Sequence, residues 1–288
     1  MKTLSEEIQD IKNGKGSKAV KKEALIKLGL RKHEIDIVLA DLPKQVRESF
    51  KFTFGVEIEC LVAASVMREC ATRNNMPFQY GRYNHTDNRH YYKFVSDSSI
   101  RGENPIECVS PVLTGKDGMK SLENCCKALN EANAQVNVST GLHVHIGAQK
   151  LSDKAYVNVF KNYQKLEKVI DTFMARSRRE NNSQWCKSLQ GMDFSFCTNK
   201  NDVYDAMNGN RYYKVNACSY SCHKTIEFRQ HQGSTDFDKI SNWVSFCAKL
   251  VRWSRSNVLE NEVGTIDEIP FLTAKEKSFF KSRAEALN

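Results

Sequence analysis

The chain has 288 residues, 40% of them hydrophobic, so it can hold one large domain, or one domain with a small appendage, around a substantial core. No segment approaches the roughly 20 consecutive apolar residues that cross a bilayer, and the start of the sequence has no apolar signal region. We therefore expect a cytoplasmic protein that makes no use of a membrane. The formal net charge of +9 favours an anionic partner, such as a nucleotide, a phosphorylated substrate, an acidic peptide or a nucleic acid, without choosing among them.

Residues 1–44 predict a small helical unit, separate from a larger domain over 45–288. Three short helical patterns follow one another and end at Pro43, with Ser17 a plausible amino-terminal cap and Gly29 a plausible stop for the second helix. Such a unit is typical of a docking module, but it is equally typical of a helical hairpin that packs on its neighbour. Its basic stretch, and a second one at Arg176–Glu180 (RSRRE), are interpreted as solvated faces.

From Phe50 onwards the pattern changes to strands separated by amphipathic helices. The predicted strands are FKFTFGVEIECLV, HYYKFVS, PIECVS, LHVHIG, YYKVNAC and KTIEFRQHQ. The predicted helices are GMKSLENCCKALNEAN, KAYVNVFKNYQKLEKVIDTFMARSRR, DFDKISNWVSFCAKLVRWS and a short one from about Thr273. This order fits a parallel α/β or an antiparallel α+β fold, and the absence of a Gly-rich turn between strand and helix disfavours the nucleotide-binding parallel folds.

The first strand places two carboxylates on one face. In FGVEIEC, the apolar residues alternate with Glu57 and Glu59, which emerge from the same face about two residue rises of 3.3 Å apart. Like charges at this spacing raise each other's proton affinity unless a positive charge lies between them. A divalent cation, Mg²⁺ or Mn²⁺, would supply that charge, whereas the alternative is an acidic strand edge that faces solvent.

Three further strands carry polar residues opposite their apolar ones: Glu107 in PIECVS, His143 and His145 in GLHVHIG, and Glu227, Arg229 and His231 in TIEFRQHQ. Each histidine alone would more often be an ordinary hydrogen-bonded residue than a ligand, and a Glu beside an Arg can be a simple surface ion pair. Together, the four strands predict a polar floor that holds metal ions and phosphates.

The segments FGVEIE, SDSSI, ECVSPVLTG, GLHVHIG, RYYKVNA and TIEFRQHQGSTD, in this order, resemble the amidoligase family, relatives of glutamine synthetase and glutamate-cysteine ligase. The resemblance covers about Phe50 to Trp253. It implies an α+β fold with a curved antiparallel sheet of the glutamine synthetase catalytic type and flanking helices. It also implies ATP and divalent metals on the polar face, activation of a carboxylate as an acyl phosphate, and amide formation with an amine. Similar proteins are common in phages and bacteria.

The resemblance assigns roles residue by residue. It implies metal binding by Glu57, Glu59, Glu107, His143 and Glu227. Arg229 resembles the guanidinium that steadies the transferred phosphoryl group, and His145 and Arg211 resemble contacts to phosphate or nucleotide.

Two departures affect this assignment. Asp97 matches the acid of the family's Asp-Gly-Ser stretch, which helps to receive the amine, but Ser98 stands in place of the glycine. In an unbroken strand, Arg211 and Asn216 would face opposite ways, and we give more weight to Arg211 than to Asn216.

The sequence thus predicts an ATP-dependent carboxylate-amine ligase that uses Mg²⁺ or Mn²⁺. Two alternatives remain: an inactive binding module of the same fold, docked through its amino-terminal helices, and a metal-dependent enzyme that acts on phosphoryl groups or nucleic acid. The clustered acids and histidines disfavour inactivity, because a structural protein gains nothing from unpaired carboxylates in one place. The acid and amine substrates stay open among small molecules, peptides and modified bases.

Overall fold

The computed structural model describes residues 7–8, 10–11, 18–30, 35, 52–81 and 90–287. The chain divides into two compact units, Met1–Ser49 and Phe50–Asn288. The break that the sequence predicts after residue 44 lies outside the described residues.

The described part of the first unit centres on helix α1 (Lys18–Lys27). The helix ends where the sequence predicts, because Gly29 adopts a φ of +85° and its N–H donates to the carbonyl of Ile26 at 2.9 Å. Leu25 and Ile35 form a small buried cluster in this unit. The other two predicted helices and the cap at Ser17 fall largely outside the described residues.

The second unit is built on an eight-stranded sheet with the order β2-β3-β4-β1-β6-β8-β7, in which β5 also pairs with β1. Its strands are β1 (Thr53–Leu61), β2 (Phe78–Tyr80), β3 (Tyr92–Val95), β4 (Pro105–Val109), β5 (Leu113–Thr114), β6 (Gly141–Gly147), β7 (Val215–Asn216) and β8 (Thr225–Gln232). Among the strands of the described residues, β2 and β3 alone pair in parallel, so the fold is α+β with an open, mostly antiparallel sheet.

The helices of this unit are α2 (Ala64–Arg73), α3 (Gly115–Glu131), α4 (Asp153–Thr172), α5 (Lys200–Ala206), α6 (Ser219–His223), α7 (Phe237–Trp253) and α8 (Ala274–Leu287). Two 3₁₀ turns, Arg176–Arg178 and Ile266–Glu268, complete the described elements. Among the residues described, no helix is both long and apolar enough to span a membrane.

Helix α4 ends earlier than the sequence predicts. It begins at its Ser152 cap, whose hydroxyl accepts the N–H of Ala155 at 3.2 Å, but it stops at Thr172 instead of continuing through the arginines. Arg179 folds back and donates to the carbonyls of Thr172 and Met174 at 3.5 and 2.9 Å. These carbonyls at the helix end therefore find a partner without another helical turn.

One face of the sheet is covered by helices. Helix α7 contacts β6, and α3 and α4 contact α7. The apolar residues that alternate along the strands, such as Ile58, Val144 and Phe228, are fully buried on this side with Trp243 of α7. The alternation predicted for β1 and β6 is therefore correct, and it leaves the charged residues of these strands on the opposite face.

Strand β8 contains one extra residue relative to its partner β6. Leu142 pairs with His231 and Val144 pairs with Phe228, so two steps along β6 correspond to three along β8. Such a bulge changes the face on which the following side chains lie. His231 consequently lies on the helical side, with its ring 5.9 Å from that of Trp243. The prediction that His231 shares a face with Glu227 and Arg229 is wrong.

Candidate active site

Cross-strand pairing gathers the predicted polar residues into rows on the face opposite the helices. Glu57 of β1 pairs with His143 of β6, and Glu59 pairs with Glu107 of β4. His145 pairs with Glu227 of β8. Since directly paired residues project from the same face, four neighbouring strands contribute to one polar surface, which we call the floor.

Three overlapping groups of side chains on the floor could each hold a cation. In every group, the candidate ligand atoms lie within 4.8 Å of one another. The first set is Glu57, His145 and Glu227, the second is Glu57, Glu107 and His143, and the third is Glu59, Asp97 and Glu107. Glu57 and Glu107 each belong to two sets, so neighbouring cations would share carboxylates. The first two sets combine two carboxylates with one imidazole and the third has three carboxylates, and such oxygen-rich sets suit Mg²⁺ or Mn²⁺.

The two histidines point their ring nitrogens at these carboxylates. Nδ1 of His143 lies 3.0 Å from Oε2 of Glu57, and its Nε2 lies 3.6 Å from Oε1 of Glu59. Nδ1 of His145 contacts the hydroxyl of Thr225 at 2.9 Å, which leaves Nε2 facing Glu57 and Glu227 at 3.3 and 3.9 Å. This Nε2 is buried and has no hydrogen-bond partner among the described residues. A buried, unpartnered nitrogen between two carboxylates fits a metal ligand.

Ionisation of the carboxylates is unequal. Burial, together with the charges of Glu57, Glu59 and Asp97, holds the pKa of Glu107 well above its usual range. Burial acts in the same direction on Glu57, but His145 and His143 outweigh it and leave the pKa of Glu57 well below the usual range. A divalent cation would offset both the burial and the carboxylate repulsion that raise the pKa of Glu107.

Arg229 and Glu227 form a buried ion pair. Nη1 of Arg229 lies 2.5 Å from Oε1 of Glu227, and both side chains are almost fully buried. Burial opposes ionisation of Glu227, but the charges of Arg229 and His145 prevail and lower its pKa to about 2. Nε of Arg229 donates to the carbonyl of Trp185 at 3.3 Å. The interpretation as an ordinary surface salt bridge is therefore excluded.

Asn216, rather than Arg211, touches the floor. Asn216 lies in β7 opposite Glu227, and its amide donates to Oε2 of that carboxylate at 2.5 Å. Arg211 precedes the strand and is exposed, with its guanidinium 5.5 Å from the centre of the Tyr212 ring. From the sequence, we expected Arg211 and Asn216 to face opposite ways in an unbroken strand. The strand contains Asn216 and not Arg211, although we gave less weight to Asn216. The centre of the same Tyr212 ring lies 6.0 Å from the guanidinium of Arg229.

Asp97 lies in a tight turn after β3. The N–H of Ser99 donates to Oδ1 of Asp97 at 2.7 Å. Ser98 does not adopt a positive φ, so this turn has no need of the glycine found in the family pattern. The substitution at Ser98 therefore leaves Asp97 close to Glu59 and Glu107.

Two basic residues of the floor were missed by the sequence reasoning. Arg178 belongs to the RSRRE stretch, but it is 4% exposed and donates to the carbonyl of Thr140 at 2.6 Å, next to β6. The interpretation of this stretch as a solvated face is wrong for Arg178. Lys93 pairs with Val109, which in turn pairs with Glu57, so the buried Lys93 shares their face. Alternation in β3 could have revealed Lys93, whereas Arg178 lies outside any strand.

The comparisons with known proteins concern this same region. A family model described as "Putative amidoligase enzyme" matches residues 50–192 and 191–251. No curated protein matches the chain. A solved structure described as "Crystal structure of novel glutamine synthase homolog" is similar at 10% identity and a TM-score of 0.40. The similarity covers 86% of this chain and 64% of that protein. Because the family model spans well over half of the sequence and includes every strand of the floor, the chain belongs to the amidoligase family.

Proposed function

We propose that the protein is an ATP-dependent ligase that joins a carboxylate to an amine through an acyl phosphate, with Mg²⁺ or Mn²⁺ on the floor. The observation that carries the proposal is the overlap of the three ligand sets beside a buried arginine. These sets contain five carboxylates, and Arg229 is already paired with Glu227, so bound cations would favour the ionised form of the other four. Transfer of a phosphoryl group from ATP requires such cations near the triphosphate.

The chemistry has two steps. An oxygen of the substrate carboxylate forms a bond to the terminal phosphorus of ATP, and the bond to ADP breaks with its electron pair leaving on ADP. The amine nitrogen then bonds to the acyl carbon, inorganic phosphate leaves, and the amine loses a proton.

In this scheme, Glu57, Glu59, Glu107, His143 and Glu227 would hold the cations, which would neutralise the triphosphate. His145 belongs to the first ligand set, so it would either bind the cation there or contact phosphate. Arg229 would stabilise charge on the transferred phosphoryl group by bidentate hydrogen bonds. Asp97 would accept the proton of the amine, and Arg211 would contact the nucleotide from the rim. The ten cysteines are all free, which suits work in the cytoplasm.

Hydroxylamine provides a direct test, because it replaces the natural amine and converts any acyl phosphate into a hydroxamate. The protein is incubated with ATP, Mg²⁺ and hydroxylamine against a panel of carboxylic acids, and hydroxamates are detected by mass spectrometry. We expect one class of acid to give a hydroxamate, with one ADP released for each hydroxamate formed. Calorimetry should show ATP binding that a chelator abolishes.

A matched pair of variants controls the test. Glu57→Gln removes a carboxylate shared by two ligand sets, so it should abolish both metal-dependent ATP binding and hydroxamate formation. Glu103→Gln changes an exposed glutamate beside β4 and should preserve both. ATP binding that is indifferent to chelator, or to the loss of Glu57, would contradict the proposed metal floor.

A further inference from the structure

Arg178 differs from Arg229 in having no acidic partner. Its hydrogen bonds go to the carbonyl of Thr140 at 2.6 Å and to the sulfur of Cys186 at 3.9 Å, both uncharged groups. No carboxylate of the described residues forms an ion pair with Arg178, although its side chain is almost completely buried. A guanidinium keeps its charge even when it is buried, and an uncompensated buried charge is strongly unfavourable.

The position of Arg178 connects it to the floor. A Cβ placed on Gly141 would lie 3.2 and 3.3 Å from the two terminal nitrogens of Arg178, and 3.3 Å from Nε2 of His143. The guanidinium and the imidazole therefore both approach the backbone of Gly141 closely, at a position where a side chain would crowd them. The N–H of Gly141 donates to Oε2 of Glu59 at 2.6 Å, so the guanidinium of Arg178 lies beside the second and third ligand sets, which include His143 and Glu59.

We propose that Arg178 binds an oxyanion of a ligand on the floor, either the carboxylate of the acid substrate or a phosphoryl oxygen. A planar guanidinium matches both groups, because it can donate two parallel hydrogen bonds to two oxygens. Glu227 engages Arg229, which makes Arg178 the buried guanidinium whose charge a ligand would compensate. The identification of that ligand with a ligase substrate rests on the proposed function; the anion site itself rests on Arg178, Gly141 and His143.

The test measures whether simple oxyanions stabilise the full-length chain through Arg178. Sodium phosphate and sodium acetate are each titrated against sodium chloride at constant ionic strength, and the Kd comes from the increase in the urea midpoint. We expect at least one of the two anions to bind the wild type, and Arg178→Gln to raise its Kd at least tenfold. Arg178→Lys keeps the charge but loses the planar fork, so its Kd should lie between those of the wild type and Arg178→Gln.

Two further variants complete the design. Arg176→Gln changes an exposed arginine of the same 3₁₀ turn and should leave the Kd unchanged. Gly141→Ala keeps Arg178 but crowds its guanidinium, so it should raise the Kd of the anion at least tenfold. This variant replaces Arg178→Gln in the test if Arg178→Gln does not fold.

The outcomes are distinct. Dependence on Arg178 for phosphate alone identifies a phosphoryl site, and dependence for acetate alone identifies a carboxylate site. The inference is overturned if neither anion binds the wild type, or if Arg178→Gln binds the anion with the same Kd as the wild type. If Arg178→Gln does not fold, an unchanged Kd in Gly141→Ala overturns it. The assay contains neither ATP nor an amine. If the hydroxamate screen fails but anion binding depends on Arg178, the proposed ligase function is rejected and the anion site is kept. If the screen succeeds but anion binding does not depend on Arg178, the anion site alone is rejected.

Discussion

Acidification should destabilise the Phe50–Asn288 unit in part through His231. The bulge in β8 buries this ring against Trp243, and its Nδ1 donates to the carbonyl of Gln232 at 2.6 Å. Burial lowers the pKa of His231 to about 3, and the nearby charges of Arg283 and Arg178 act in the same direction. Because the folded pKa lies below the unfolded value near 6.5, the unfolded chain binds more protons between these values. The free energy of unfolding must then fall as the pH falls through this range.

The magnitude follows from the two pKa values. Between pH 7 and pH 5, protonation of the unfolded histidine lowers the free energy of unfolding by about 2 kcal/mol. This figure depends on the unfolded value, since the folded His231 stays neutral throughout that interval. Urea unfolding followed by tryptophan fluorescence measures it, and all three tryptophans lie in the Phe50–Asn288 unit.

The comparison that isolates the effect is His231→Asn, whose amide can replace the Nδ1 donor but does not titrate. Between pH 7 and pH 5, the free energy of unfolding of this variant should fall by about 2 kcal/mol less than that of the wild type. His90→Asn alters an exposed histidine and is the control. Carboxylates titrate alike in all three proteins and cancel in the comparison. An identical pH dependence in the wild type and His231→Asn would refute the reasoning.

Three further predictions concern the floor and the amino-terminal unit. Ile58→Ala should lower the free energy of unfolding by about 2 to 5 kcal/mol through a core cavity, whereas Glu59→Gln should preserve stability and abolish ligation, as urea melts and the hydroxamate assay would show. Arg229→Lys should lower turnover about a hundredfold and change ATP affinity far less, because lysine cannot form two parallel hydrogen bonds to a phosphoryl group. A protein beginning at Gln45 should melt cooperatively and retain metal-dependent ATP binding, since every proposed ligand lies beyond it.

Each of these has an outcome that contradicts it. Loss of activity without loss of stability in Ile58→Ala, with the opposite result in Glu59→Gln, would mean that the faces of β1 are reversed. Full turnover of Arg229→Lys in ATP-dependent hydroxamate formation would leave Arg229 as a structural partner of Glu227. Aggregation or non-cooperative melting of the shortened protein would show that the amino-terminal helices complete the core of the larger unit.

Alternation in the sequence was sufficient to predict which residues share the floor wherever a strand is long and regular. Glu57 and Glu59 of β1 and the two histidines of β6 face as predicted, because these strands keep a period of two over seven or more residues. Pairing between strands then determines which residues meet. The register that places Glu57 opposite His143 was not deducible, since it depends on hydrogen bonds between distant parts of the chain.

Apart from the omission of Lys93, which lies in the regular strand β3, the errors arise where the backbone is irregular. β7 contains only two residues, so alternation could not be extended from Asn216 back to Arg211. Arg178 follows a helix that ends early, in a segment without any period to interpret. The stretch was interpreted as solvent-exposed because several of its residues are basic. The tertiary structure instead buries one of its arginines, Arg178, beside Gly141.

The bulge in β8 also changes how related sequences should be aligned. Up to Arg229, every second residue of this strand belongs to the floor, but beyond the extra residue the parity reverses and His231 belongs to the core side. A relative that lacks this residue would therefore show its hydrophobic and polar positions exchanged after the Glu-x-Arg pair. An ungapped alignment would match core positions with floor positions from there to the end of the strand. The polarity pattern after Arg229 thus indicates whether a family member carries the insertion.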